Sequence, residues 1–286
     1  MIKTVGIVGA GQMGNGIAHV FAMHHYPVIL CDLTEGRLTG ALAIIRRNLE
    51  RQLRKSNLEF EGIDGIIERI YPTTRLTDMA AADFIIEAVP EDETLKIGLF
   101  RSLDEIVKPG VILATSASSI SISRIGDSTA HPERVIGLHF MNPAPVMALV
   151  EVVRGRSTGI WAFAATTELV SGIGKEMVAC GDFPGFIVNR LLIPMINEAV
   201  ILLQKGIASA EDIDKGMHLG AGHPLGPLAL ADLMGIDTVL AISDHLFRNL
   251  NDEKYRPSPF LLEMVEAGKL GRKSGRGFYI YENLNR

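Results

Sequence analysis

His139 and Glu151 are the residues whose types most directly suggest chemistry. His139 closes the run Val135-Ile136-Gly137-Leu138-His139. Glu151 sits inside Leu149-Val150-Glu151-Val152-Val153, on the face that it shares with Leu149 and Val153. Both runs read as strands. A carboxylate is rarely buried without a partner, and a histidine suits it. One ring nitrogen is then held while the other faces substrate, as a general base requires. Read singly, His139 is equally a satisfied core histidine, and Glu151 equally an edge residue on a solvated strand. The hydroxyl-rich stretch Thr115-Ser116-Ala117-Ser118-Ser119-Ile120-Ser121 follows another strand end. Its hydroxyls could polarise a substrate oxygen or cap the next helix.

What would make an acid/base pair into a reaction is a cofactor. Gly9-Ala10-Gly11-Gln12-Met13-Gly14 lies between the apolar run Thr4 to Val8 and a stretch in which Met13, Ile17, Val20 and Phe21 recur at helical spacing. Strand, glycine turn and helix form the context in which G-x-G-x-x-G means dinucleotide binding. Gly9 permits the tight turn, Gly11 lets backbone approach a pyrophosphate, and Gly14 allows close helix packing. The helix N-terminus offers free N–H groups to the phosphates. Asp32 ends the next apolar run, Val28 to Cys31, at the distance where an acid accepts hydrogen bonds from the adenosine ribose. Its charge favours NAD over NADP. The competing reading of Asp32 is a cap for the helix beginning near Thr34 and Glu35.

The elements that must position these groups follow from the rest of the pattern. Strands are predicted near residues 70–73, 83–89, 111–115, 135–140, 149–153 and 176–180. Helices are predicted over 35–55, about 95–106 and 159–172. Alternating strands and helices mean an α/β, Rossmann-type doubly wound and mostly parallel sheet, with ligands beyond the carboxyl ends of the strands. After Gly181-Asp182-Phe183-Pro184-Gly185 strand patterns nearly vanish. Helices are expected over 186–205, with a kink at Pro194, and over 212–219, 235–250 and 259–267. The expectation is an NAD-binding domain over 1–182 and an all-α substrate and dimerisation domain over 183–286, its apolar helices covered in a homodimer.

Composition bounds the alternatives. The chain has 286 residues, 47% of them hydrophobic and 21% charged, enough for a sizeable core in about two domains. A net charge of −5 argues against broad nucleic-acid binding. No apolar run is long enough to cross a membrane, and Met1-Ile2-Lys3 leads directly into the first strand, without room for a signal peptide. Cys31 and Cys180 offer neither a disulfide framework nor metal-ligand spacing, so no metal is expected. A cytoplasmic setting is the expectation. On the helix after Asp32, Arg47, Arg51 and Arg54 share one polar face, flanked by Arg46 and Lys55. This is either a solvated face or a seat for a phosphate-bearing ligand.

Nearly end to end, the chain resembles the 3-hydroxyacyl-CoA dehydrogenase family, in its short form that includes bacterial 3-hydroxybutyryl-CoA dehydrogenases. The stretches that carry the resemblance are Gly9 to Ala18, Gly137-Leu138-His139-Phe140-Met141-Asn142-Pro143, Pro184 to Arg190, and Gly222 to Pro227. The resemblance implies that His139 is the acid/base and Glu151 its partner, with Ser118 and Asn189 contacting the substrate and its reacting oxygen. It implies that Glu91, Lys96, Asn142 and Lys273 join the glycine loop at the NAD site. It places the CoA moiety at Asn48 and Lys55, beside Arg47 and Arg51 of the basic face. The family usually has Asn-Thr-Ser-Ser where this chain has Ser116-Ala117-Ser118-Ser119.

The implied reaction is reversible NAD-dependent oxidation of an (S)-3-hydroxyacyl-CoA to the 3-ketoacyl-CoA. Alternatives are a dehydrogenase acting on a carrier-protein thioester, one acting on a free hydroxy or sugar acid as in the gulonate dehydrogenase and lambda-crystallin branch, and an NAD-binding protein without turnover.

Overall fold

The computed structural model describes residues 2–55 and 62–281. The chain divides into two compact units, residues 1–183 and 184–286.

The first unit carries eight strands: β1 (Val5–Val8), β2 (Val28–Cys31), β3 (Ile70–Thr73), β4 (Phe84–Glu87), β5 (Ile112–Thr115), β6 (Val135–Phe140), β7 (Leu149–Arg154) and β8 (Glu176–Gly181). They form one sheet in the order β3-β2-β1-β4-β5-β6-β7-β8. Strands β1 to β6 run parallel, β7 turns antiparallel to β6, and β8 runs parallel to β7. The order reverses between β1 and β4, which opens a crevice beyond the carboxyl ends of those strands, where such sheets bind ligands.

Six helices belong to this unit: α1 (Gln12–Met23), α2 (Glu35–Lys55), α3 (Ile63–Glu68), α4 (Glu93–Ile106), α5 (Ile122–Gly126) and α6 (Ile160–Gly172). Ile17 and Phe21 of α1, Leu38, Ile45 and Leu49 of α2, Ile66 of α3 and Leu169 of α6 share one core with Ile7, Leu30, Ile86, Ala114, Ile136, Leu138, Val150 and Val152 of the sheet. This is what a stripe at helical spacing does when it meets a continuous apolar strand run. Side chains alternate across a strand, so His139 and Glu151 project from the opposite face. There α4 packs on β5, and α5 on β6 and β7. Helix α5 comes close because Gly137 has no side chain: a Cβ there would lie 2.9 Å from Ile122 Cδ1 and 2.7 Å from Val153 Cβ.

The second unit consists of α7 (Val188–Gln204), α8 (Ala210–Ala221), α9 (Pro227–Met234), α10 (Ile236–Leu250) and α11 (Pro259–Glu266). They surround a core of Ile193, Ile196, Val200, Leu228, Val239, Leu246 and Leu261. Helix α7 contains Pro194 within its span, as the sequence reading expected. Helices α3 and α9 have no counterpart in the sequence reading, and α5 entered it only as the helix that the serine stretch could cap. At five to eight residues, they offer at most about two turns of periodicity.

Two buried aspartates organise this unit. Asp214 accepts from the N–H groups of Leu228 and Ala229 at the start of α9, both at 2.8 Å, and from Tyr279 Oη at 2.8 Å. Asp232 accepts from Phe278 and Tyr279 N–H at 2.9 and 3.0 Å and from Tyr281 Oη at 3.0 Å. A Cβ at Gly277 would stand 1.9 Å from Asp232 Oδ1, so only glycine lets the C-terminal strap lie there. Burial pushes the Asp232 carboxyl above its ordinary value, against the pull of those donors.

Candidate active site

The glycine loop leaves β1 at Val8 and enters α1 at Gln12. Gly9 has φ +105°, a conformation that a side chain disfavours. A Cβ at Gly14 would fall 1.7 Å from the Gly9 carbonyl oxygen, so α1 is seated on the loop itself. A Cβ at Gly11 would meet nothing within 4 Å. That glycine faces open space. Helix α1 has no side-chain cap and no acidic residue in its first turn, which leaves N–H groups and the positive dipole end available to an anion. These features fit a dinucleotide pyrophosphate.

The structure distinguishes the two readings of Asp32. Its Oδ2 accepts the Ala10 N–H at 2.7 Å, and its Oδ1 accepts the Leu33 N–H at 2.6 Å. The first turn of α2 is served by Thr34 Oγ1, which accepts from Arg37 N–H at 3.4 Å. Asp32 therefore braces the glycine loop and does not cap α2. Its side chain is 6% exposed and also meets the guanidinium of Arg37.

His139 and Glu151 are directly opposed in the β6–β7 ladder, and directly opposed side chains interact across strands. His139 Nδ1 lies 2.7 Å from Glu151 Oε2, with Glu151 fully buried and the His139 side chain 9% exposed. A carboxylate only accepts, so the proton between them sits on Nδ1, and Nε2 is the basic nitrogen. Register places the pair at the functional edge. Val8, Glu87, Thr115 and Gly137 form one row across β1, β4, β5 and β6. His139 lies two residues beyond that row toward the carboxyl ends. Past β6, Asn142 accepts from Gln12 Nε2 at 3.3 Å and so reaches the cofactor loop. Gly16 of α1 makes room for that turn, since a Cβ there would meet Ala144 at 3.3 Å.

An ionic network around the buried Lys96–Glu87 pair lines the carboxyl end of β4; sequence reasoning named Glu91 and Lys96 at the NAD site and missed Glu87. Lys96 Nζ donates to Glu87 Oε1 at 2.5 Å and to the Val89 carbonyl at 3.2 Å, and lies 3.5 Å from Glu91 Oε2. Thr115 Oγ1 donates to Glu87 Oε2 at 2.7 Å. Burial pushes the Glu87 carboxyl up, against the pull of Lys96 and Thr115. Glu91 Oε1 receives the N–H groups of Ser118 and Ser119 at 2.9 and 2.8 Å and the Ser119 hydroxyl at 2.7 Å. Burial pulls the Glu91 carboxyl upward, but Lys96 and the serine donors outweigh it, and it titrates below its ordinary value. The only sequence signal for Glu87 was an acid inside an otherwise apolar strand.

The serine stretch divides its work. Ser118 and Ser119 meet Glu91. Ser121 caps α5, accepting from Arg124 N–H at 3.3 Å, and donates to Asp182 Oδ2 at 2.7 Å. Asp182 also takes the N–H groups of Ile122 and Ser123 at 2.9 and 2.7 Å. The loop before α5 is thus tied at both ends by carboxylates.

The remaining expected positions are on other elements. Arg47 and Arg51 are exposed on α2, and Asn48 is half-buried beside them. Lys55 closes that helix, and its side chain falls outside the described residues. Met13 is partly buried against the core of the first unit. Asn189 is buried near the start of α7 in the second unit. Lys273, also in that unit, pairs with Asp237 at 2.6 Å. Both cysteines are free, and burial pushes each thiol up to about 11, so neither is poised as a thiolate. Among the described residues no group of three or more His, Cys, Asp or Glu side chains could hold a metal ion.

Known proteins resemble this chain in both sequence and fold. Residues 4–183 match the model of the 3-hydroxyacyl-CoA dehydrogenase NAD-binding domain, and residues 185–281 match that of the 3-hydroxyacyl-CoA dehydrogenase C-terminal domain. The chain is 49% identical over 281 residues to a 3-hydroxybutyryl-CoA dehydrogenase of Bradyrhizobium diazoefficiens, covering 98% of this chain and 96% of that one. Among solved structures it resembles M. tuberculosis FadB2, with a TM-score of 0.96 and 43% identity over 98% of this chain and 99% of the other. It also resembles the (S)-3-hydroxybutyryl-CoA dehydrogenase PaaH1 from Ralstonia eutropha, with a TM-score of 0.94 and 45% identity over 99% and 100%. The chain belongs to the 3-hydroxyacyl-CoA dehydrogenase family and is an NAD-dependent enzyme of that family.

Proposed function

We propose that this enzyme catalyses the reversible oxidation of an (S)-3-hydroxyacyl-CoA of the 3-hydroxybutyryl type to the 3-ketoacyl-CoA. The observation that carries the reading is the buried pairing of His139 Nδ1 with Glu151 Oε2 at 2.7 Å, at the carboxyl edge of a sheet with a dinucleotide loop. The names of the relatives support the acyl class.

NAD, when bound, supplies the acceptor for the hydride that leaves C3 of the substrate. The loop Gly9 to Gly14, with Gln12 and Met13, would hold its phosphates, and Asp32 its adenosine ribose. Glu91, Lys96 and Asn142 would hold its other end. His139 Nε2 takes the proton of the 3-hydroxyl, and the imidazolium that forms is stabilised by Glu151. In the reverse direction His139 returns that proton to the oxygen of the 3-keto group while Ser118 donates to the same oxygen. Acid–base transfer of this kind contributes about 10²–10⁴-fold in rate. The exposed Arg47 and Arg51, with Asn48, offer charge and hydrogen bonds for the phosphates of CoA.

His139→Gln is expected to lose turnover of acetoacetyl-CoA with NADH by about 10²-fold or more while NADH still binds. Near wild-type turnover would overturn the assignment. A panel of CoA esters of different length, carrier-protein thioesters and free hydroxy acids tests the substrate class. Faster turnover of a free acid than of any CoA ester would refute the CoA reading. Exposed Leu191, Leu219 and Leu233 of the helical unit support a homodimer, which sedimentation velocity tests. No helix among the described residues is long and apolar enough to cross a membrane.

A further inference from the structure

A bare carboxylate at the ribose end of a dinucleotide site rejects a 2′-phosphate, and on that ground Asp32 alone predicts NAD. In the folded protein Asp32 is not bare. Its two oxygens accept the N–H groups of Ala10 and Leu33. On the outer side Arg37 Nη1 lies 3.3 Å from Oδ1. Arg37 stands in the first turn of α2 with a side chain 62% exposed, against 6% for Asp32. The neighbouring cation is committed elsewhere. Arg75 follows β3, whose Thr73 carbonyl accepts the Asp32 N–H at 3.2 Å, but its guanidinium is 2.9 Å from Asp78. Glu35, also exposed, shares the first turn of α2.

We propose that Arg37 is a cofactor-specificity residue that lets this enzyme bind NADP as well as NAD. With a nicotinamide dinucleotide lacking the 2′-phosphate, Arg37 stays on Asp32 and offsets part of its charge. With the 2′-phosphate present, the guanidinium turns from the carboxylate to the phosphate. The arginine end of the pair is solvent-exposed and can swing, the Asp32 carboxylate keeps its two backbone N–H donors when it does, and the planar fork of arginine matches phosphate geometry. In this kind of fold an acid at the ribose position serves NAD and a nearby arginine accommodates the 2′-phosphate of NADP; here both residue types stand at that position.

The test is equilibrium titration of the whole enzyme with NADH and with NADPH, followed by nicotinamide fluorescence in the absence of any acyl substrate. Wild type, Arg37→Ala and Arg37→Lys are compared at low and moderate salt. Wild type is expected to bind NADPH within about 30-fold of NADH, and Arg37→Ala to weaken NADPH about tenfold while changing NADH less than about twofold. Arg37→Lys, which keeps the charge without the fork, should fall between, and the NADPH effect should shrink as salt rises. Equal effects of Arg37→Ala on both nucleotides, or a wild type that binds NADH and shows no NADPH binding, overturn the proposal. Failure of NADH itself to bind would instead count against the cofactor site. Since no acyl-CoA is present, the outcome does not depend on the substrate class.

Discussion

Replacing Glu151 by glutamine tests how much of the proposed chemistry rests on the charge behind His139. The amide keeps the size of the side chain, and its oxygen can still accept the Nδ1 proton across the 2.7 Å contact. What it removes is the negative charge facing the imidazolium that forms as the substrate hydroxyl loses its proton. With charge centres about 4 Å apart and an effective dielectric constant of about 20, that interaction amounts to about 4 kcal/mol, or about 10³-fold in rate. The hydrogen bond that remains offsets part of the loss, so kcat is expected to fall about 10²–10³-fold. The assay is NADH consumption with acetoacetyl-CoA, paired with fluorescence titration of NADH and a thermal melt. NADH affinity should stay within about twofold, because the dinucleotide loop is braced by Asp32 and not by Glu151. A folded variant with turnover within about threefold of wild type would refute the reasoning, since His139 would then act without a charged partner.

Three other outcomes follow from the packing of single residues. Gly11→Ala has space around its new Cβ, whereas Gly14→Ala drives a Cβ to 1.7 Å from the Gly9 oxygen. The first should keep its melting temperature and lose NADH affinity about tenfold or more, while the second should lose both. His19 is fully buried, and burial lowers its pKa from 6.5 to about 4. The unfolded chain therefore takes up that proton at higher pH than the folded one, and stability falls as pH drops through this window, by about 2 kcal/mol between about pH 7 and about pH 5. His19→Gln should flatten the slope measured by urea melts. Asp232→Ala strands the N–H groups of Phe278 and Tyr279, at a cost of about 2–5 kcal/mol, and hydrogen exchange should quicken over residues 277–281 first.

Much of the fold was legible because its signals are local. Runs such as Val28 to Cys31 and Phe84 to Glu87 are short, apolar and ended by turn residues. The stripe Leu38, Leu42, Ile45 and Leu49 has a period that only a helix satisfies. The glycine loop was readable for the same reason: its work is done within six residues. The doubly wound sheet followed from the alternation of these elements.

What only the tertiary structure decided are contacts between residues far apart in the chain. That β7 turns antiparallel, so that Glu151 faces His139 in register, depends on the turn after β6 and not on either strand's composition. Lys96 meets Glu87, Asp182 ties down the start of α5, and Asp232 holds the C-terminal strap. Each is a charged side chain, buried in the case of Lys96, Glu87 and Asp232, whose partner is chosen by topology. Sequence spacing can mark an acid as unusual in an apolar run, but burial makes pairing obligatory only once the fold has removed water. Arg37 shows the same limit from the surface: in the sequence it is one more cation of a basic helix, and the bend after β2 is what lays it against Asp32.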